Sequence, residues 1–151
     1  MIEKSHRRIR LCTALLVLNI AFIWGNSVLP ASVSSALSGW VKELLQYLLP
    51  GNGSQIQGDG ILRKLAHFCE FCVLGVMLLW LHGMLRRTWI SAIAGSLVCA
   101  VAVAGIDEAI QIHSPGRYAS ILDVALDTAG AVFGVLLCTG YIFLKKQRKS
   151  Q

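Results

Sequence analysis

Nine residues of this 151-residue chain have types and spacings that bring chemistry together on helices: Lys64, His67, Glu70, Asp107, Glu108, Gln111, Arg117, Asp123 and Asp127. At 3.6 residues per turn, Lys64, His67 and Glu70 are successive i, i+3 neighbours and share one side of a helix. Asp107 and Gln111 are four apart and face alike, with Glu108 beside them. Asp123, Asp127, Gly130 and Gly134 fall within an arc of about 60°, acidic toward one end and glycine toward the other. A histidine or glutamate placed this way serves general acid/base chemistry. The fork of Arg117 and the point charge of Lys64 suit a carboxylate, a phosphate or developing negative charge. His67 with Glu70, Asp107 and Asp123 has the donor types of a hard divalent cation. No H-E-x-x-H or comparable zinc spacing accompanies them, so no metal or cofactor is assigned. The same charges have a structural use, in which Arg63, Lys64 and Arg117 pair with the carboxylates and hold three helices together. Both uses stay open at this level.

The elements that must position these residues are membrane helices. Hydrophobic residues make up 55% of the chain and charged residues only 15%, with a mean hydropathy of +0.62. Soluble domains carry about 25% charged residues, so this composition describes one all-α membrane domain over residues 1–151 and excludes a disordered, collagenous or disulfide-framed chain. Four segments, 9–29, 61–85, 89–112 and 120–144, have the roughly 20 mainly apolar residues that a crossing needs. The formal charge of +6 sits at segment ends: Lys4, Arg7, Arg8 and Arg10, then Arg86 and Arg87, then Lys145, Lys146, Arg148 and Lys149. That is the pattern of membrane orientation and not of a nucleic-acid-binding stripe, and it predicts cytoplasmic termini. The first span reads as a retained helix; the small residues after it also fit a cleaved signal peptide, and either reading leaves the other three spans oriented alike.

Residues 32–60 form the longer outer connection. Leu37, Trp40, Val41, Leu44, Leu45 and Leu48 recur at helical spacing opposite Ser38, Lys42, Glu43 and Gln46, which predicts an amphipathic helix on the outer interface. Pro50-Gly51-Asn52-Gly53-Ser54 then reads as loop. Cys12, Cys69, Cys72, Cys99 and Cys138 lie in apolar runs as small hydrophobes, and Cys69-x-x-Cys72 lacks the partner pair of a zinc or redox site. Trp24, Trp40, Trp80 and Trp89 are interface or core residues. There is no P-loop, dinucleotide fingerprint or G-x-S-x-G elbow.

The polar groups occupy the start of the second span, the end of the third and the start of the fourth, and this topology turns all three ends outward. At about 1.5 Å per residue, His67 and Asp127 are expected about 10 Å below the outer interface, with Asp107 and Asp123 nearer the surface, around one shallow cavity. Ionised residues at such depth cost about 2.5–3.5 kcal/mol on insertion scales, which favours an interior, paired and functional placement. Pro115-Gly116 forms a tight turn that holds Arg117 at the mouth. Gly130 and Gly134 make a small-x-x-x-small step for close helix packing.

Two motif blocks carry a family resemblance: Lys64-Leu65-Ala66-His67-Phe68-Cys69-Glu70-Phe71 followed by Leu74-Gly75, and D-E-x-x-Q-x-x-x-P-G-R from Asp107 to Arg117 with D-x-x-x-D-x-x-G-x-x-x-G from Asp123 to Gly134. In these the chain resembles the VanZ-like family of small bacterial membrane proteins, named after a teicoplanin-resistance protein. The resemblance implies a cell-envelope role. Two positions depart from the family's usual residues: His113 replaces an aromatic residue, and Asp127 replaces Asn, an extra acid that favours a cation or proton site.

The expected function is therefore a non-enzymatic envelope protein that binds an amphiphile or lipid-linked ligand at an outer-leaflet polar cavity, with teicoplanin resistance as the phenotype the family name implies. Its partners would be membrane lipid, a lipid-linked cell-wall precursor or a lipoglycopeptide. The alternative is a membrane-embedded enzyme acting on a lipid-linked or phosphate-bearing substrate, with His67 or Glu70 as acid/base and Arg117 and Lys64 stabilising negative charge. Proton or solute transport through the same acids is a third use.

Overall fold

The computed structural model describes residues 2–48, 59–85, 88–118 and 120–148. The loop at Pro50–Ser54, Arg86, Arg87 and Lys149 lie outside these residues, so the expectations placed on them are not addressed. The chain folds as five helices: α1 Ile2–Val28, α2 Ala31–Leu48, α3 Asp59–Met84, α4 Trp89–Ile112 and α5 Ile121–Arg148. Four of them contain stretches long and apolar enough to cross a membrane, namely Ser5–Val28, Gly60–Met84, Trp89–Ile112 and Ile121–Arg148. The expected all-α membrane bundle is what forms, and the protein is a multi-pass membrane protein. The shorter α2 coincides with the expected amphipathic helix; of its apolar positions, Trp40 is exposed, whereas Leu37, Val41, Leu44, Leu45 and Leu48 have no described side chains.

Local chemistry sets the helix limits. Thr88 caps α4, its hydroxyl oxygen accepting from the Ser91 amide; this satisfies a donor with no intrahelical partner. Between α1 and α2 the Pro30 carbonyl accepts from the amides of Val33 and Ser34, at 3.1 Å each. The turn after α4 depends on Gly116 at φ +76°, a conformation that costs glycine little. That turn is tied to α2, whose Ala31 amide donates to the Pro115 carbonyl at 3.1 Å.

The spans are packed with small residues inside and large apolar residues outside. Phe71, Leu74 and Leu78 of α3 meet Ile23 and Leu16 of α1, Ala100, Val103 and Ala104 of α4 and Ala131 of α5. Leu18, Val98 and Leu136 point outward, the arrangement expected where the solvent is lipid. The α3–α5 seam is closest. A Cβ at Gly130 would collide with the Phe68 carbonyl, one at Gly134 with that of Cys72, and one at Gly75 with that of Ala131. The glycine step thus packs as its spacing predicts, and it brings the acidic face of α5 against the His67 side of α3.

A second cluster, of Leu79, Ala92 and Val135 with Cys138 packed beside it, places the end of α3, the start of α4 and the end of α5 together. The start of α1 joins them, since Cys12 reaches the Met77 carbonyl. The polar residues gather at the opposite end.

Candidate functional site

All nine residues singled out in the sequence lie at that end, and the tertiary structure divides them into distinct settings. Lys64 and Asp123 form an ion pair at 2.7 Å between α3 and α5, with the lysine side chain 48% exposed. This pair fits the structural use of the charges. Glu70 faces α1, where the Asn26 amide donates to its Oε1 at 2.8 Å. Glu108 turns toward the start of α5, its Oε1 accepting from the Ser120 backbone amide. The carboxylate thereby holds the first turn of α5 against the last turns of α4, and Ser120 in turn accepts from the amides of Asp123 and Val124.

Arg117 is buried. One of its nitrogens, Nη2, donates to the Asn26 carbonyl at 3.2 Å, while Nε and Nη1 are buried with no hydrogen-bond partner among the described residues. Burial pulls the guanidinium below the usual arginine range, Arg63 pulls in the same direction, and Asp107 and Glu108 oppose them. Arg63 itself forms no ion pair among the described residues.

At the centre are His67, Asp107 and Asp127, one from each of α3, α4 and α5, all buried. His67 Nδ1 lies 3.8 Å from Asp107 Oδ2 and 3.9 Å from Asp127 Oδ2, beyond hydrogen-bond reach. One ligand atom from each of the three residues lies within 4.8 Å of the others. Gln111 fixes Asp107 through a 2.8 Å bond from its Nε2 to Oδ2, and its other amide hydrogen points to Ser27 Oγ at 3.3 Å. His67 Nδ1 and Asp107 Oδ1 have no hydrogen-bond partner among the described residues. A narrow, water-sized crevice lined by Arg63, Lys64, His67, Gln111, Asp123, Leu126 and Asp127 reaches this centre.

Two expectations need correction. Asp107 is not nearer the surface than His67 and Asp127. It is fully buried and meets both, because it lies about 8 Å inside the end of α4 while Asp127 lies about 9 Å inside the start of α5. The open shallow cavity is instead a crevice, since the glycine seam draws α3 and α5 together too closely for more space. The donor groups that converge are His67, Asp107 and Asp127, whereas Asp123 is held by Lys64 and Glu70 by Asn26.

The sequence reading missed α1. Asn26 serves both Glu70 and Arg117, and the Ser27 carbonyl accepts from Ser114 Oγ at 2.7 Å. The available signal was a polar Gly25-Asn26-Ser27 at the outer end of an otherwise apolar span, level with the polar ends of the others. No charge drew notice to it.

No curated protein and no solved structure matches this chain. A family model described as VanZ/LLP1 matches residues 11–144, a stretch that takes in most of the first and fourth spans, all of the second and third, both motif blocks and the α1 residues Asn26 and Ser27, and the chain belongs to that family.

Proposed function

We propose that this protein is a bacterial inner-membrane member of its family that binds the anionic headgroup of an amphiphile or lipid-linked envelope ligand at the outer leaflet. In this reading both termini are cytoplasmic, because Arg7, Arg8 and Arg10 of α1 and Lys145, Lys146 and Arg148 of α5 collect at the bundle end away from the site. The first helix is retained, since its loss would strip Glu70 and Arg117 of Asn26. The observation that carries the proposal is Arg117, a buried guanidinium with two unpartnered nitrogens. Such donors cost free energy unless something accepts from them, and a phosphate or carboxylate oxygen is the acceptor an arginine fork fits. The crevice is too narrow to admit a headgroup, so the ligand sits at the mouth, between Arg63 and the 113–118 turn. Teicoplanin resistance follows if the ligand is one that the antibiotic's lipid tail or cell-wall target competes with.

The test is native mass spectrometry of protein extracted in mild detergent and offered phosphatidylglycerol, an undecaprenyl-pyrophosphate-linked precursor, or phosphatidylcholine. Wild type should retain an anionic species over phosphatidylcholine, and Arg117→Ala should lose that preference by about tenfold or more, the cost of about one charge-assisted hydrogen bond. Equal retention by wild type and variant refutes the proposal. Susceptibility of a Gram-positive host then decides the phenotype: protection against teicoplanin but not vancomycin, lost in Arg117→Ala at matched membrane levels, supports it. An enzymatic reading draws on one observation, the free His67 Nδ1 between two acids. Release of a product from the same lipids would favour it over binding alone.

A further inference from the structure

The centre formed by His67, Asp107 and Asp127 is costly to bury. Two carboxylates and an imidazole converge from three helices, inside a bundle whose outer surface is lipid-compatible. Neither carboxylate has a Lys or Arg partner within ion-pair distance among the described residues. Ordinary hydrogen bonding does not account for the arrangement, because His67 Nδ1 and Asp107 Oδ1 are buried and unpartnered. Asp127 makes no hydrogen bond among the described residues, whereas nearby Asp123, Glu70 and Glu108 each have a protein donor. Asp107 has a donor on Oδ2 alone, from Gln111, so His67 Nδ1, Asp107 Oδ1 and the Asp127 carboxylate are left over, on three side chains that face one another.

From this we infer that His67 Nδ1, Asp107 and Asp127 bind a divalent transition-metal ion of the Mn²⁺ or Zn²⁺ class. One imidazole and two carboxylates are donors such ions accept. Ligand atoms about 2.1 Å from an ion at tetrahedral angles lie about 3.4 Å apart, so the 3.8 and 3.9 Å separations need close by only a few tenths of an ångström. The ion neutralises the paired acids, gives Nδ1 a bond and removes the repulsion between the carboxylates. Gln111, bonded to Asp107 Oδ2 and anchored on Ser27, is a positioning residue of the kind that orients a ligating carboxylate. The crevice past Arg63 and Lys64 is the entry path, and the remaining coordination positions open toward it for water or an anionic oxygen. Three protein ligands with open positions distinguish this centre from a closed structural site. The inference stands apart from the headgroup proposal, because it rests on different residues and its test uses the metal alone.

The experiment is equilibrium binding of Mn²⁺ and Zn²⁺ to chelator-stripped, detergent-purified full-length protein, with bound metal counted by mass spectrometry and read independently as an increase in melting temperature. Wild type should bind about one ion per chain. His67→Ala and Asp127→Asn should each weaken binding by about a hundredfold or more, and Gln111→Ala, which keeps every ligand, by about ten- to a hundredfold. Ser96→Ala, at the other end of the bundle, should bind like wild type. The inference is overturned if wild type takes up neither metal beyond the level of the His67→Ala/Asp127→Asn double variant, in which case the acids are neutralised by a proton. It is equally overturned if wild type binds metal and folded, helical His67→Ala and Asp127→Asn retain it. Should a variant fail to fold, the stoichiometry and thermal shift of wild type decide the matter alone.

Discussion

Helix α3 carries two histidines that the bundle treats in opposite ways. His82, at the end where α3 meets the start of α4, has Nδ1 2.9 Å from Ser96 Oγ, and that hydroxyl donates to the Ala92 carbonyl at 2.7 Å. Its ring also packs against Gly95. His67, four turns away, has no partner for Nδ1 and faces two acids. The same residue type on the same helix is satisfied at one end and left open at the other. Satisfied polar groups rigidify a fold, and unsatisfied ones mark places where stability has been yielded to some other use. The contrast sets the His67 centre apart more firmly than conspicuous charge does, since Lys64, Asp123, Glu70 and Glu108 are as polar and yet have partners.

The comparison can be broken first at what both ends share. Gly134→Val drives a side chain into the Cys72 carbonyl, so it should spread the α3–α5 seam at a cost of about 3 kcal/mol or more. Unfolding by denaturing detergent should show the loss, together with loss of any ligand binding. Retention of a wild-type midpoint would mean that the seam does not hold the two ends in register.

Next in size is Asn26→Ala, which removes the donor from the half-buried Glu70 carboxylate and should lower stability by about 2 kcal/mol. Replacing the orphaned carboxylate by a neutral amide, Glu70→Gln in the same chain, should recover part of it. An additive double variant would deny the coupling.

The most discriminating pair has smaller effects of opposite sign. Ser96→Ala leaves His82 without its partner and should cost about 1 kcal/mol. Asp127→Asn removes one of two facing acids and should stabilise the metal-free protein by about 1 kcal/mol while weakening the proposed metal binding about a hundredfold or more. Melting curves of both variants in chelator check this. If Asp127→Asn destabilises as Ser96→Ala does, the His67 end is a structural network like the other.

The smallest effect belongs to Lys64→Ala. Its bridge to Asp123 is half exposed, so the change should stay within about 0.2–1 kcal/mol and shrink further in high salt.

Much of this was legible in the sequence. Helix limits followed from apolar length and from charges at the ends: three of the four spans begin within a residue of the expected positions, and α5 continues through its basic turn because Lys145, Lys146 and Arg148 favour a helix C-terminus. The α2 helix followed from the period of its apolar residues, and the packing of Gly130 and Gly134 from their spacing. The residues of the site followed from their cost in lipid, which makes any internal charge informative. What stayed hidden was allocation. Spacing puts Lys64, His67 and Glu70 on one side of α3, but each meets a different helix: α5 for Lys64, both α4 and α5 for His67, and α1 for Glu70.

Sequence alone therefore determined that this is a four-span helical membrane protein with its nine candidate residues gathered toward one end, because transfer into lipid is a property of each segment by itself and reads directly from composition and period. Only the tertiary structure decided that Asp107 is deep, that the cavity is a crevice, that α1 supplies Asn26 and Ser27, and that His67, Asp107 and Asp127 face one another with no Lys or Arg partner among the described residues. Those outcomes depend on how closely α3 and α5 approach and how the helices rotate against one another, and that geometry is set jointly by all the contacts in the bundle.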